Sequence, residues 1–144
     1  MMISDMIIRT IGIFIGIFFF AIMTETPRKY LLIAAVIGGV SGFVYLISEA
    51  NGSGAVWASF FSALTAAVIS HIFARIFKAP VTLFLIAGIL PTVPGGGMYR
   101  IVANALDGSL AEMLNSLLET LEIAGAIALA VFLVDTAFRI KKSK

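Results

Sequence analysis

The sequence predicts an all-α integral membrane protein of about five transmembrane helices, the fourth of them broken. Three observations predict this class. The 144 residues are 60% hydrophobic and only 12% charged, whereas a soluble domain carries about 25% charged residues. Five apolar stretches approach the ~20 residues that a helix needs to cross the hydrocarbon core. Only short polar segments separate these stretches, so residues 1–144 are interpreted as a single membrane domain.

Each apolar stretch gives one predicted helix. The predicted helices span residues 6–23, 30–47, 55–74, 81–106 with an interruption at 91–97, and 117–138. Asp5 lies in what would be the positively charged region of a signal peptide, and residues 21–25 form a poor small-x-small cleavage site. We therefore expect the first segment to be retained as a membrane helix. Small residues four apart, such as Gly12 and Gly16, are interpreted as faces for close packing within the bundle.

Charges in the connections predict the orientation. With five crossings, one side of the membrane receives most of the ten cationic residues: Arg28, Lys29, Arg75, Lys78, Arg139, Lys141, Lys142 and Lys144. The other side receives Asp5, Glu49, Asp107 and Glu112. Short loops rich in Lys and Arg stay in the cytoplasm. We therefore expect a protein of the bacterial cytoplasmic membrane, surrounded by lipid, with its N-terminus outside and its C-terminus inside.

Composition excludes several functional classes. The chain has no Cys and one His, which excludes disulfides, thiolate catalysis and a multi-His metal centre within one copy, so no metal or cofactor is expected. The net charge of +2, without a basic stripe, gives no reason to expect a nucleic-acid partner. A membrane-embedded enzyme is the weakest hypothesis, because no Ser–His pair has an evident orienting carboxylate.

The interruption of the fourth segment is the candidate functional site. Proline removes a backbone donor and glycine adds backbone freedom, so the helix should break across residues 91–97. In hydrocarbon the freed backbone groups need protein or water as partners, so the break should face the bundle interior. We predict that a second half-helix starts near Met98, where its free N–H groups would attract a carboxylate. Arg100 is a cation within this apolar stretch, which marks it as functional by default.

This reasoning gives a set of candidate residues for binding a small carboxylate substrate. They are Pro91, Pro94, Gly95, Gly96, Gly97, Met98, Tyr99, Arg100 and Asn104. The alternative is a tight turn between two short re-entrant helices, with Arg100 reaching a membrane interface. Nucleotide binding is disfavoured, because the Gly-Lys-Ser/Thr ending of a phosphate-binding loop is absent.

Two titratable residues are candidates for proton coupling. His71 lies four residues before Arg75, and histidine titrates near neutrality, although a packing role is the alternative. Glu122 lies about one turn deeper in the last segment than Glu119, and it is either a coupling carboxylate or a charge of the outer vestibule. Asp135 is expected to form an ordinary i,i+4 ion pair with Arg139, and a place at a cytoplasmic entrance is the alternative.

The residues of the break carry a resemblance to a known family. The pattern Pro-x-x-Pro-Gly-x-x-x-Tyr, from Pro91 to Tyr99, follows an apolar run at residues 84–90. It resembles the signature of the threonine/serine exporter family (ThrE type). In length and hydropathy the whole chain is similar to the small five-helix subunit of the split, two-chain members. Gly96 and Gly97 stand where the family pattern is more varied.

The resemblance implies a subunit of a bacterial inner-membrane exporter of threonine and serine, driven by the proton gradient as an antiporter. It also implies a larger membrane subunit as partner; because five helices are few for alternating access, the second half is either that subunit or another copy of this chain. Some two-chain members are linked to dicarboxylate export, so a dicarboxylate such as succinate is an alternative substrate. A further alternative is a structural or assembly module in which the break is only a packing kink.

Overall fold

The structure consists of six helices joined by short connections. A computed structural model describes residues 3–142 and the side chains of residues 3–140. The helices are α1 (Ile3–Met23), α2 (Leu31–Ala50), α3 (Gly54–Phe77), α4 (Val81–Ile89), α5 (Gly95–Leu106) and α6 (Leu110–Lys142). Short 3₁₀ turns at Arg28–Tyr30 and Leu90–Thr92 precede α2 and follow α4. Of the cations used to predict the orientation, Lys144 lies outside the described residues, as do the side chains of Lys141 and Lys142.

The helices confirm the predicted fold class. By length and composition, α1, α2, α3 and α6 are each able to cross a membrane. The helices α4 and α5 pass the same test as a pair that is bent by 52°, and they make a fifth span if they cross as one. A fourth segment with a break is what the prolines in an apolar run predict.

The break is shorter than the sequence suggests. We expected it to cover residues 91–97 and the second half-helix to start near Met98, but α5 begins at Gly95. The Met98 N–H donates to the Pro94 carbonyl at 3.1 Å, so the three glycines form the first helical turn. Proline 94 occupies the N-cap position with a non-helical ψ of 58°. The two prolines alone therefore interrupt the helix, and the glycines after them continue it.

The last helix is longer than expected. We predicted a start at residue 117, whereas α6 begins at Leu110, and residues 107–109 alone connect it to α5. Gly108 adopts a φ of 75°, a left-handed conformation that glycine tolerates and that permits the tight reversal. A hydropathy pattern marks only the part of a helix that lies in hydrocarbon. The polar first turn of α6, which includes Glu112, was therefore assigned to the preceding loop.

The helix α2 is the centre of the bundle. The helices α1, α3 and α4 all pack against it, and α3 also contacts α4 and α6. Buried small residues make this close packing possible. Two serines join three helices: the Ser41 hydroxyl donates to the Gly88 carbonyl at 2.5 Å, and the Ser62 hydroxyl donates to the Ser41 carbonyl at 2.6 Å. The helices α2, α3 and α4 thus form a hydrogen-bonded core.

Candidate functional site

The break between α4 and α5 lies against α2. The Thr92 side chain is buried, and its hydroxyl donates to the Ile89 carbonyl at 2.7 Å. The Val93 N–H donates to the Leu90 carbonyl at 3.3 Å, and the Gly95 N–H donates to the Val93 carbonyl at 2.8 Å. The break therefore pairs several of its own freed backbone groups, as a break in an apolar medium must.

A long groove runs from the break along α6. We call it the α4–α6 groove: it has a volume of about 810 Å³ and is open to the surroundings. One wall is the α6 face from Thr120 to Asp135, and the other is α4 with Val93 and Pro94 of the break. At 1.5 Å of rise per residue, the α6 wall is roughly 22 Å long. The lining is largely apolar, with His71 and Asp135 at the end far from the break.

The α4–α6 groove is bounded near the break by the contact between α5 and α6. A Cβ atom at Gly97 would collide with the Thr120 hydroxyl, so the glycine lets α5 approach α6 closely. Two polar contacts join the helices: the Asn104 side chain donates to the Ser116 hydroxyl at 3.3 Å, and Arg100 pairs with Glu119 at 3.3 Å. The Thr120 hydroxyl donates within α6, to the Ser116 carbonyl at 2.7 Å. Below the break, α4 stands away from α6, and this separation creates the groove.

The other end of the groove is at the basic end of the bundle, which carries Lys29, Arg75, Lys78 and Arg139. His71 Nε2 lies 3.6 Å from Asp135 Oδ1, and Arg139 Nε lies 2.8 Å from Asp135 Oδ2. The second distance confirms the expected i,i+4 pair. The Arg75 guanidinium donates to the Phe138 carbonyl at 3.0 Å, which joins the end of α3 to the end of α6.

The nine candidate substrate-binding residues do not surround one point. Pro94 and Met98 line the groove. Gly97, Arg100 and Asn104 contact α6. The remaining residues lie elsewhere: Pro91 beside α2, and Gly95, Gly96 and Tyr99 on the exposed side of α5.

The Arg100 side chain points away from the bundle interior, which the break was expected to face. Its side chain is 56% exposed and pairs with Glu119. The reason is the bend, which turns the charged face of α5 toward the first part of α6. Substrate binding by these residues stays a prediction.

The two proton-coupling candidates lie on different sides of α6. His71 is buried at the basic end of the groove. Glu122 is exposed and lines a separate crevice of about 440 Å³ with Trp57 and Phe60. Asp135 lines the groove, although the pair with Arg139 was the preferred interpretation of this residue. Its spacing from Thr120, Ala124, Ala128 and Val131 is helical and predicts one shared face, so the pattern was available.

Comparison with known proteins identifies the family. No solved structure matches the chain. The family described as "Threonine/Serine exporter, ThrE" matches residues 9–137. This range covers nearly all of the chain, including α4, the break and α5. This confirms the resemblance carried by the break. The family is one of transporters rather than enzymes. The chain therefore belongs to the threonine/serine exporter family, ThrE, and is a membrane transporter protein of the exporter type.

Proposed function

We propose that the chain is the small subunit of a proton-driven antiporter that exports threonine and serine across the bacterial cytoplasmic membrane. The α4–α6 groove is the observation that carries the proposal, because it connects the basic end of the bundle with the broken span. Its volume of about 810 Å³ falls within the ~300–1,000 Å³ typical of small-molecule sites. In transporters, broken helices hold substrates near the middle of the membrane.

The orientation predicted from the charges makes the groove a path from the cytoplasm. Short basic connections stay in the cytoplasm, so Arg75, Lys78 and Arg139 would lie there. The groove would then be open to the inside and closed toward the outside by the α5–α6 contact. Export would require α5 to leave α6 after the substrate has reached the break, as alternating access demands.

The first turn of α5 is where we expect the substrate carboxylate. Gly95 and Met98 already donate their backbone N–H groups to Val93 and Pro94. The N–H groups of Gly96 and Gly97 therefore remain for an anion, and the positive end of the helix dipole would favour one. The neighbouring Thr120 lines the same groove, and we expect its hydroxyl to bind the substrate hydroxyl.

The groove is open along its side, which supports a second membrane protein as partner. A zwitterionic substrate would meet lipid there unless another surface covered the opening. A larger subunit of the same family is the partner we propose, and a second copy of this chain is the alternative. Secondary transporters generally combine two repeats or bundles around the site, which five spans alone do not provide.

Efflux of preloaded, labelled threonine and serine from cells tests the proposal. The chain is expressed alone, with the larger subunit, or not at all, and labelled succinate is run in parallel. We expect threonine and serine efflux that needs both chains and stops when a protonophore collapses the gradient. Absence of threonine and serine efflux in every pairing, at verified expression, would overturn the proposal, and efflux of succinate alone would reassign the substrate class.

A further inference from the structure

The basic end of the α4–α6 groove contains a pair of titratable side chains. Among the described residues that line the groove, His71 and Asp135 are the two that titrate, and their Nε2 and Oδ1 atoms are 3.6 Å apart. The remaining lining is apolar apart from hydroxyl groups such as those of Thr82 and Thr120. The titratable groups that a proton in the groove can bind therefore lie at the basic end of the groove.

His71 also separates the groove from a second cavity. It lines both the groove and a crevice of about 240 Å³ at the basic end, which Arg75 and Arg139 also line. The imidazole is stacked on the Phe138 ring, with 4.7 Å between ring centroids and 18° between planes. Its side chain is only 11% exposed, so packing fixes its position between the two spaces.

Asp135 lines the groove and joins His71 to an exposed arginine at the surface. One carboxylate oxygen faces His71, and the other is 2.8 Å from the Arg139 guanidinium, whose side chain is 81% exposed. The charged groups that act on the pair are Arg139 on α6 and Arg75 on α3, whereas α4 presents Val81 and Thr82, which do not titrate. A buried imidazole and a half-exposed carboxylate thus form a sequence from the groove to the surface.

We propose that His71 and Asp135 form a proton-release pair, at which the transported proton leaves the groove for the cytoplasm. This inference rests on the proposed proton-driven export. The proton first binds the lone pair of His71 Nε2, and Asp135 stabilises the imidazolium by its charge. It then passes to Asp135 and on to water at the exposed side of that carboxylate. One proton moves between lone pairs in each step, and no other bond forms or breaks.

The other carboxylates of α6 are less suited to this role. Glu122 lines a different crevice, beside Trp57. Glu119 pairs with Arg100 at the opposite end of the groove, where the α5–α6 contact closes it. Asp135 is therefore the carboxylate of α6 that shares a cavity with a histidine.

The test separates proton-driven net efflux from substrate exchange. Net efflux of labelled threonine requires a proton to be released in each cycle, whereas exchange of labelled for unlabelled threonine at equal pH does not. Both are measured in cells that carry the full chain and the larger subunit. We expect Asp135→Asn to lower net efflux by about a hundred-fold, the usual scale for loss of a proton-transfer group, and to leave exchange nearly unchanged. His71→Gln should also lower net efflux. Asp135→Glu keeps a carboxylate at this position and should retain part of the net efflux.

Glu112→Gln is the matched control, because it removes an exposed carboxylate from the first turn of the same helix. It should leave both activities unchanged. Full net efflux by Asp135→Asn at matched expression would overturn the release role. Loss of both activities in a well-folded Asp135→Asn protein would also overturn it, since it would indicate a role in substrate passage. If Asp135→Asn does not fold, the same two criteria apply to His71→Gln.

Failure of the proposed function gives a different result. It appears in the wild type itself, as absence of threonine and serine efflux or as efflux that ignores the proton gradient. Either result overturns the proton-release role as well. Wild-type efflux that follows the gradient, together with unaltered net efflux in Asp135→Asn, overturns the release pair alone.

Discussion

The two halves of the broken span are held in the bundle by different means. The helix α4 packs against both α2 and α3, with Phe84, Ala87 and Gly88 buried and the Gly88 carbonyl bonded to Ser41. The helix α5 packs mainly against α6 and leaves Tyr99 74% exposed. The first half is thus fixed by packing on two sides and by a buried hydrogen bond, whereas the second is held through one face. This difference identifies α5 as the half that an exporter would move.

The sequence explains the difference in physical terms. The helix α4 is apolar throughout and has small residues where α2 and α3 approach it. The helix α5 begins with three glycines, and glycine disfavours a helix relative to alanine because it loses more conformational freedom on folding. The helix α5 therefore has both the lower intrinsic helix stability and the fewer neighbouring helices.

The largest expected effect comes from filling space beside α4. In Gly88→Leu, the new Cβ would lie 2.9 Å from the Ala66 Cβ and 3.0 Å from the Ile37 Cγ2. Overpacking of this kind costs about 1–3 kcal/mol or more. We expect a large fall in thermal stability in detergent, measured by size-exclusion chromatography after heating. Gly16→Leu is the control, because nothing lies within 4 Å of a Cβ at that position. Equal stability of the two variants would contradict the inference that close packing fixes α4 in the bundle.

A smaller effect is expected from separating α5 from α6. In Gly97→Val, the new side chain collides with the Thr120 hydroxyl and displaces α5, while α4 keeps its packing. The chain has no cysteine, so Asn104→Cys with Ser116→Cys gives a cross-link that reports this contact. We expect slower cross-linking in Gly97→Val and recovery when Thr120→Ala is added. An unchanged rate in Gly97→Val would mean that glycine is not required for the contact.

The Arg100–Glu119 pair should contribute less to stability. Both side chains are about half exposed, and exposed ion pairs contribute about 0–1 kcal/mol. We expect Arg100→Gln to change thermal stability little. Efflux measurements then separate a structural role of Arg100 from a role in substrate binding. If Arg100 only holds α5 on α6, the double variant Arg100→Glu with Glu119→Arg regains the efflux that the single Arg100 variant loses. If Arg100 binds the substrate carboxylate, as the sequence predicts, the exchanged pair stays inactive.

The smallest expected effect is at the first residue of α5. Nothing lies within 4 Å of a Cβ at Gly95, and its φ is not positive. Gly95→Ala should therefore raise thermal stability slightly, by about 0.4–1 kcal/mol, because alanine loses less chain entropy in a helix. A fall in efflux without loss of stability would support the prediction that the substrate approaches the backbone here. A fall in stability would show that this turn is not helical under the conditions used.

Much of the fold was predictable from hydropathy, and the candidate site was predictable in part. The prolines place the break correctly, because their effect on a helix is local. The direction of Arg100 depends on the bend between α4 and α5, which no local pattern specifies. Asp135 was expected to pair with its neighbour Arg139 on the same helix, and it does. Its second contact, with His71, joins two helices, so no local pattern in the sequence predicts it.

The short connection between α5 and α6 restricts how α5 can move. Residues 107–109 tie one end of the helix to α6, and the break ties the other end to α4, which is fixed in the core. A helix of 12 residues is roughly 18 Å long and does not stretch. Because both of its ends are tied, α5 can tilt sideways or rotate about its own axis, but it cannot translate along that axis. In the orientation that we propose, opening of the outer side would therefore expose the Gly97 face of α5 by rotation, with Gly108 as one of the two hinges.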